Sequence, residues 1–257
     1  MRIALFSDIH ANLPALQECL ASIDEQQPDA VYCLGDLVGY NIWPNEVVDE
    51  IRKRRIPTIM GNYDQGIGRA IDECGCAYKT DRDKEMGKIS ISFTNSIIND
   101  AQRTYLRTLP AHIKLEFQLN DDRLNVLLVH GSPRKVNEYL FEDREEKSLL
   151  RIMEQADADV LCFGHTHKPF HRTISVPNHS GMVHRHAINI GSVGKPKDGD
   201  PRGCYAMLTI DTNSSVIHKN SIGVEFIRFN YDVEKAAKAI ELSPLPNEYA
   251  TMLREGT

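Results

Sequence analysis

The chain contains several short apolar segments, and most of them are followed by glycine and by side chains that can bind metal ions. This pattern limits the possible folds more than any other in the sequence. Ile3 to Ser7, Ala30 to Leu34 and Val160 to Phe163 are apolar runs too short for helices, so they predict buried strands. Asn12 is a suitable N-cap for a helix after the first of them, because apolar residues recur there at helical spacing. Strands that alternate with helices predict right-handed crossovers and parallel pairing.

The rest of the chain continues this mixed pattern. The segments predicted as helices are Asn45 to Arg55, Lys84 to Leu109, Glu145 to Ala156 and the residues after Asp232. The segments predicted as strands are Ile56 to Met60, a hairpin of His112 to Leu119 with Arg123 to Val129 around Asn120-Asp121-Asp122, Val183 to Ile190, Tyr205 to Ile210, Ser215 to Lys219 and Val224 to Phe229. Without an internal repeat or a convincing linker, we expect residues 1–257 to form one domain of two sheets with helices outside.

Five loops that follow predicted strands carry side chains able to bind metal ions. These side chains are Asp8 and His10, Asp36, Asn62, His130, and His165 with His167. In open α/β sheets ligands collect outside the carboxyl ends of the strands, so we expect the loops to converge. Carboxylate, amide and imidazole donors together suit Mn, Fe, Co, Ni or Zn better than Ca or Mg alone. They are too many for one small ion, but they suit two ions if one carboxylate is shared.

The order of these motifs resembles the calcineurin-like metallophosphoesterase superfamily over residues 3 to about 195, in particular its small bacterial and archaeal phosphodiesterase-like members. The family signature D-x-H, G-D, G-N-H-[DE], H and G-H-x-H is found here as Asp8-Ile9-His10, Gly35-Asp36, Gly61-Asn62-Tyr63-Asp64, His130 and Gly164-His165-Thr166-His167. The resemblance implies a four-layer α/β/β/α sandwich, in which two mixed β-sheets are flanked by helices.

The same resemblance implies a site for two divalent metal ions, with Mn as the first choice and Fe, Zn, Ni or Co as the others. Asp8, His10, Asp36 and His167 would hold the first ion, and Asp36, Asn62, His130 and His165 the second. A metal-bridging hydroxide would attack a phosphate ester in line. Two ions, two carboxylates and the hydroxide leave the centre near about +1, which suits a phosphodiester monoanion.

Several functions stay open on such a site. Nucleotide or dinucleoside polyphosphate hydrolysis and phosphomonoester hydrolysis are alternatives, because substrate choice depends on loops. A protein-interaction scaffold on the same fold, like the retromer subunit that has a degraded metal site, is the alternative outside enzymology. The complete set of ligands in this chain favours the enzyme over the scaffold.

One signature position departs from the family. Tyr63 replaces a histidine that contacts the phosphate or the leaving oxygen, and Asp64 is the residue that pairs with that histidine in the family. Both are therefore the candidate catalytic residues, but a phenol is a poor general acid at neutral pH, which predicts a preference for good leaving groups. Arg134, close after His130, is the candidate substrate-binding residue, and Ser192 to Asp200 could border the same crevice.

Composition narrows the environment and the partners. The net charge is −6, so a nucleic-acid partner is not expected, and the expected substrate is a small phosphate ester. No apolar run is long enough to span a bilayer, and the N-terminus shows no export signal, which predicts a cytoplasmic protein with reduced thiols. Cys74-Gly75-Cys76 is either a turn with two incidental cysteines or a redox or metal-touching pair. A homo-oligomer is left open.

Overall fold

The computed structural model of the chain describes residues 1–120, 123–178 and 181–257. The strands are β1 (Arg2–Phe6), β2 (Ala30–Cys33), β3 (His112–Gln118), β4 (Arg123–Val129), β5 (Val160–Phe163), β6 (Phe170–Asn178), β7 (Gly181–Asn189), β8 (Gly203–Thr209) and β9 (Gly223–Phe229). The helices are α1 (Leu13–Gln26), α2 (Pro44–Lys53), α3 (Asn62–Gly68), α4 (Asp81–Ile97), α5 (Asp100–Thr108), α6 (Glu146–Gln155), α7 (Val233–Glu241) and α8 (Glu248–Glu255).

The strands form two mixed sheets. One sheet has the order β2-β1-β8-β9, with β1 parallel to β2 and antiparallel to β8. The other has the order β3-β4-β5-β7-β6, in which β4, β5 and β7 are parallel and both edge strands are antiparallel to their neighbours. In each sheet the parallel strands therefore bring their carboxyl ends to one edge, where the polar clusters of the sequence follow them.

Side chains along the strands alternate between two apolar layers. In β1, Ile3 and Leu5 pack in the layer between the sheets, whereas Ala4 and Phe6 face the helices of the first sheet. In β4, Leu128 enters the layer between the sheets and Leu127 packs with the residues of α6. One apolar layer lies between the helices and the first sheet, a second lies between the two sheets, and a third lies between the second sheet and α6. This order confirms the expected four-layer α/β/β/α sandwich.

The helix predicted after Asn12 is confirmed, and its cap has a physical basis. The Asn12 side chain accepts a hydrogen bond from the Ala15 amide at 3.2 Å and so satisfies one free N–H of the first turn. Asp232 caps α7 in the same way, through the Lys235 amide. Across the part of the chain that the structure describes, no helix is long and apolar enough to cross a membrane.

The strand predicted over Ile56 to Met60 does not form. Only an isolated bridge joins Thr58 to Cys33, because Pro57 has no N–H to donate to a ladder and the chain leaves the sheet at once. The apolar run is buried beside the sheet without belonging to it, and it leads directly into α3, which the sequence did not predict.

Two further segments differ from the prediction. The helix expected over Lys84 to Leu109 is two helices, because Asn99 takes an extended conformation and its side chain caps α5 through the Gln102 amide. Ser215 to Lys219 forms turns instead of a strand, since the Ser221 hydroxyl bonds both the amide and the carbonyl of Ser215. The hairpin of β3 and β4 is confirmed, while Asp121 and Asp122 of its turn lie outside the described residues.

Candidate metal centre

The predicted ligands follow the carboxyl ends of four strands. Asp8 and His10 come after β1, Asp36 after β2, His130 after β4, and His165 with His167 after β5; Asn62 is the first residue of α3. All of them are buried. The fold therefore brings seven side chains from distant parts of the sequence to one sheet edge.

Six of these side chains form two groups whose ligand atoms lie within 4.8 Å of one another. The first triad is Asp8, His10 and His167, and the second triad is Asp36, His130 and His165. Each triad takes ligands from both sheets, since Asp8, His10 and Asp36 follow strands of the first sheet and the other three histidines follow strands of the second.

The two triads touch one another. The His10 Nε2 atom lies 3.7 Å from Asp8 Oδ1 and 3.6 Å from Asp36 Oδ2. The His130 Nε2 atom lies 3.3 Å from the same Asp36 oxygen and 4.0 Å from the same Asp8 oxygen. Asp36 Oδ2 is therefore within reach of imidazoles from both triads, which is the position that a shared carboxylate needs.

Main-chain carbonyls orient three of the imidazoles. The Nδ1 atoms of His10, His130 and His167 hydrogen-bond the carbonyl oxygens of Val38, Leu34 and Lys195 at 3.1, 2.8 and 2.5 Å. Because each ring donates from Nδ1, its Nε2 atom is left as the acceptor that can bind a metal ion. Such bonds fix both the tautomer and the direction of the ring.

The backbone at this edge is strained at the ligands themselves. Asp8, His10, Asp36, His165 and His167 all have φ between 50° and 65°, in the left-handed region that residues with a Cβ rarely adopt. Residues held in such conformations cluster at functional sites, where the surrounding structure imposes them. The carboxylates and imidazoles are therefore aimed by their backbones as well as by their rotamers.

The motif glycines are required by close packing against the carboxylates. A Cβ atom on Gly61 would lie 2.1 Å from Asp36 Oδ1, and one on Gly164 would lie 2.4 Å from Asp8 Oδ2. Any other residue at these two positions would displace the carboxylates.

Burial and charge set the protonation of the histidines in the absence of metal. Burial opposes protonation of His130, but the adjacent Asp36 and Asp8 carboxylates outweigh it and raise the pKa of His130 to about 10. Burial and the charge of His130 lower the pKa of His165 to about 4. Burial and Lys197 lower the pKa of His167 to about 3. At neutral pH and without metal, His130 is thus an imidazolium beside the Asp36 and Asp8 carboxylates, whereas His165 and His167 are neutral.

A metal ion bound to the second triad is expected to displace the proton of His130. The apparent affinity of the second triad for the metal ion should rise by up to about tenfold per pH unit between roughly pH 8 and 9, because His130 must lose its proton first. Calorimetric titration at about pH 8.5 in buffers of different ionisation enthalpy should count about one proton released. No proton release under these conditions would contradict the raised pKa of His130.

The segment that contains Cys74 and Cys76 holds Asn62 in place. The Asn62 side-chain amide donates to the Cys74 carbonyl at 2.8 Å and lies 3.5 Å from the Cys76 sulfur. Its Oδ1 atom is thereby directed toward His130 Nε2, 3.1 Å away. All six cysteines are free thiols, and Cys76 alone is not fully buried.

Asp64 is buried beside the loop of Asp36, and the hydrogen bonds that it accepts within the described residues come from main-chain amides. Its Oδ2 atom accepts from Asp36 N at 2.8 Å and Gly61 N at 3.0 Å, and its Oδ1 atom accepts from Leu37 N at 2.9 Å. Burial and the Asp36 carboxylate raise the pKa of Asp64 to about 7. The carboxylate therefore joins the two loops that carry Asp36 and Asn62.

Replacing Asp64 with asparagine is expected to leave one of these amides without an acceptor, because an amide offers one oxygen where the carboxylate offers two. The buried N–H should cost about 1–3 kcal/mol of unfolding free energy. Denaturant unfolding of the metal-free protein measures this loss. An unchanged midpoint would contradict the assigned contacts, and Asp143→Asn, at an exposed position, is the matched control.

Tyr63 is covered on the side where its hydroxyl group lies. The side chain is 1% exposed, and the ring packs edge-on against His10 with the ring centres 5.3 Å apart. Tyr40, Cys76 and Tyr78 surround the phenol, and burial raises its pKa well above 10. The structure thus places Tyr63 as a wall of the first triad.

Arg134 is engaged elsewhere. Its guanidinium pairs with Glu138, which also accepts from the Ser132 hydroxyl at 2.5 Å. The cation that the structure brings near the centre is Lys197, whose charge acts on both His165 and His167. It lies in the segment Ser192 to Asp200 that the sequence indicated as a border of the crevice.

The residues present fit a pair of metal ions. Asp8 Oδ1 and His165 Nε2 are buried atoms that find no hydrogen-bond partner among the described residues. Unpaired buried polar atoms are costly, and a metal ion would satisfy both. His10 Nε2 and His167 Nε2 face each other at 3.2 Å, about the separation of two ligands on one transition-metal ion.

Comparisons with known proteins agree with this geometry. A family model described as the calcineurin-like phosphoesterase superfamily domain matches residues 1–213. The uncharacterized protein MJ0912 of Methanocaldococcus jannaschii is 30% identical over 254 residues, which cover 95% of this chain and 93% of that protein.

Two solved structures share the fold over the whole chain. A metallophosphoesterase from Sphaerobacter thermophilus superposes with a TM-score of 0.72 at 28% identity, covering 100% of this chain and 99% of the other. The hypothetical protein PH1004 of Pyrococcus horikoshii OT3 superposes with a TM-score of 0.75 at 23% identity, covering 100% and 98%. Since the family model spans most of the sequence and the centre carries the motifs, the chain belongs to the calcineurin-like phosphoesterase superfamily.

Proposed function

We propose that this protein is a phosphohydrolase that uses two divalent metal ions and acts on phosphodiesters. The observation that carries the proposal is the pair of buried triads that meet at Asp36. Asp8, His10, Asp36 and His167 would hold one ion, and Asp36, Asn62, His130 and His165 the other. Bound there, the ions would activate water and bind phosphate oxygens.

The chain's own residues contribute position and charge. Main-chain carbonyls accept hydrogen bonds from the Nδ1 atoms of three imidazoles and so direct each Nε2 atom toward the metal sites, where His130 must first lose its second proton. Asp64 ties the loop of Asp36 to that of Asn62. Because the ligands are already fixed by their backbones and hydrogen bonds, little reorganisation is needed when an ion binds. Mn²⁺ is the first ion to test on this mixed nitrogen and oxygen donor set.

The proposal is tested with a substrate panel in the presence of added Mn²⁺, Ni²⁺ or Mg²⁺. Bis(4-nitrophenyl) phosphate is expected to be hydrolysed faster than 4-nitrophenyl phosphate, and cyclic nucleotides and dinucleoside polyphosphates complete the panel. His130→Ala controls for contaminating phosphatases. Faster hydrolysis of the monoester would overturn the diesterase assignment, and no hydrolysis with any ion would overturn the enzyme.

Tyr63→Phe is expected to leave kcat for bis(4-nitrophenyl) phosphate within about threefold of the wild type. A general acid would contribute about a hundredfold or more, but this phenol is 1% exposed and burial raises its pKa well above 10, which makes it a poor proton donor. The leaving oxygen would then depart without a proton from Tyr63, so an alkyl ester should react far more slowly than an aryl ester. A large loss in the variant, or similar rates for both esters, would restore a catalytic role to Tyr63.

A further inference from the structure

A cavity of about 310 Å³ borders the candidate metal centre, and we call it the tyrosine cavity. Its volume is at the lower end of the range of small-molecule sites. The residues that define it are Tyr40, Tyr78, Tyr139, Tyr249, Lys195 and Lys197. With Lys79 and Asp83, which also line it, the cavity combines aromatic surface with three lysines and one carboxylate side chain, a mixture that neither triad supplies.

Ring contacts join the tyrosine cavity directly to both triads. The Tyr40 ring lies edge-on to the His10 ring with the centres 4.8 Å apart. The Tyr139 ring lies 4.1 Å from the His165 ring, also between centres. A group bound in the cavity would consequently lie next to a phosphate held at the centre.

Lys195 and Lys197 of the cavity differ in their surroundings. Lys195 is 4% exposed, and its Nζ atom lies 5.1 Å from the centre of the Tyr40 ring and 3.4 Å from the main-chain oxygen of Thr257. Lys197 is half-buried, and among the described residues no carboxylate oxygen lies within the 4.0 Å of an ion pair. Lys197 is thus a cation beside the crevice with no ion-pair partner of its own.

The surroundings of Lys197 act on its charge in opposite directions. Burial lowers the pKa of Lys197, while Cys76, Asp8 and Asp36 act in the opposite direction. Bound metal ions would favour the neutral amine further, whereas the anion of a bound ligand would favour the ammonium form, which offers it three N–H donors.

We propose that the tyrosine cavity is a substrate subsite, in which Lys197 binds an anionic group beyond the reacting phosphate and the tyrosine rings contact a planar ring. The inference rests on the proposed phosphohydrolase function and specifies its substrate class, namely esters that carry both a planar ring and a further negative charge. Aromatic side chains stack on planar rings, and an ammonium group attracts phosphate oxygens.

Binding to the Mn²⁺-loaded protein tests the subsite without hydrolysis. Three probes are titrated by calorimetry: adenosine 5′-(α,β-methylene)diphosphate, which has ring and charge, methylenediphosphonate, which has charge alone, and adenosine, which has the ring alone. The first probe is expected to bind at least about tenfold more tightly than either of the others, because only it fills both parts of the subsite.

Variants separate the two contributions. Lys197→Met is expected to weaken binding of the first probe about tenfold or more, whereas Lys235→Met, at an exposed position on α7, should leave it unchanged. Tyr139→Leu should remove the preference for the ring-bearing probe, and Tyr139→Phe should keep it. Lys197→Gln is a second substitution that removes the charge and keeps a polar side chain. Its melting temperature shows whether the variant is folded.

The outcomes distinguish this inference from the function on which it rests. Equal affinity of the wild type for the first two probes, or unchanged affinity in both Lys197 variants, would overturn the subsite while hydrolysis of bis(4-nitrophenyl) phosphate persists. If the wild-type protein does not hydrolyse bis(4-nitrophenyl) phosphate, the proposed phosphohydrolase function is overturned. Tight, ring-dependent binding that requires Lys197 would support the subsite in either case.

Discussion

Asp36→Asn should lower kcat/KM for bis(4-nitrophenyl) phosphate at least about a thousandfold, which is about 4 kcal/mol of transition-state stabilisation. Asp36 Oδ2 lies 3.6 Å from His10 Nε2 and 3.3 Å from His130 Nε2, so it is the oxygen that reaches both triads. The amide is nearly the same size but carries no charge and offers one acceptor oxygen. A single substitution would therefore weaken the binding of both ions.

The metal content separates this explanation from misfolding. Elemental analysis of Asp36→Asn should show less than the wild-type amount of metal, while its circular dichroism should be unchanged. Asp143→Asn, at an exposed position outside the motifs, is the matched control and should keep full activity. Wild-type rates in Asp36→Asn would exclude the shared carboxylate and with it the two-ion proposal.

Removing the metal ions should lower the melting temperature by roughly 10 °C or more. Each ion present at about a hundred times its Kd adds about 2.7 kcal/mol to the stability of the folded state. In a domain of this size 1 kcal/mol shifts the melting temperature by about 2–4 °C. Each triad joins loops of both sheets, so we expect the bound ions to resist separation of the sheets as well as local opening.

Differential scanning calorimetry with and without a chelator measures this shift. The double variant Asp36→Asn/His167→Ala removes one ligand from each triad, so its melting temperature should be the same under both conditions. An equal melting temperature of the wild-type protein with and without the chelator would contradict stable metal binding. Hydrogen exchange at β1 and β5 would show whether the protection gained on metal binding extends to both sheets.

The sequence could place most of the candidate ligands because they closely follow strands, and Asn62, which begins α3, is the exception. Asp8 comes two residues after β1 ends, and His130 comes one residue after β4. A short apolar run indicates where a strand ends. A polar side chain that follows within a few residues must then lie at that end of the sheet. The α/β class and both sheets follow from the same runs.

Other features could not be predicted, because they depend on packing between segments distant in sequence. Lys197 belongs to no motif, and although the sequence indicated its segment, Ser192 to Asp200, as a border of the crevice, it did not single out this residue. The loop after β7 brings it near His167, whose Nδ1 atom donates to the Lys195 carbonyl. The pairing of the Arg134 guanidinium with Glu138, four residues later, was not predicted, and substrate binding by Arg134 stays a prediction. The run from Ile56 to Met60 has the composition of a strand, and a single proline keeps it out of the sheet.

The left-handed backbone at five of the ligands has a consequence for directed evolution. A residue with a Cβ in this conformation costs about 1–2 kcal/mol compared with glycine, which adopts it without a clash. A library screened only for heat tolerance in the presence of a chelator, where bound ions add no stability, should accumulate glycine or asparagine at these positions and so destroy the site. Screens that retain turnover as a criterion should keep Asp8, His10, Asp36, His165 and His167 and find their stabilising changes elsewhere.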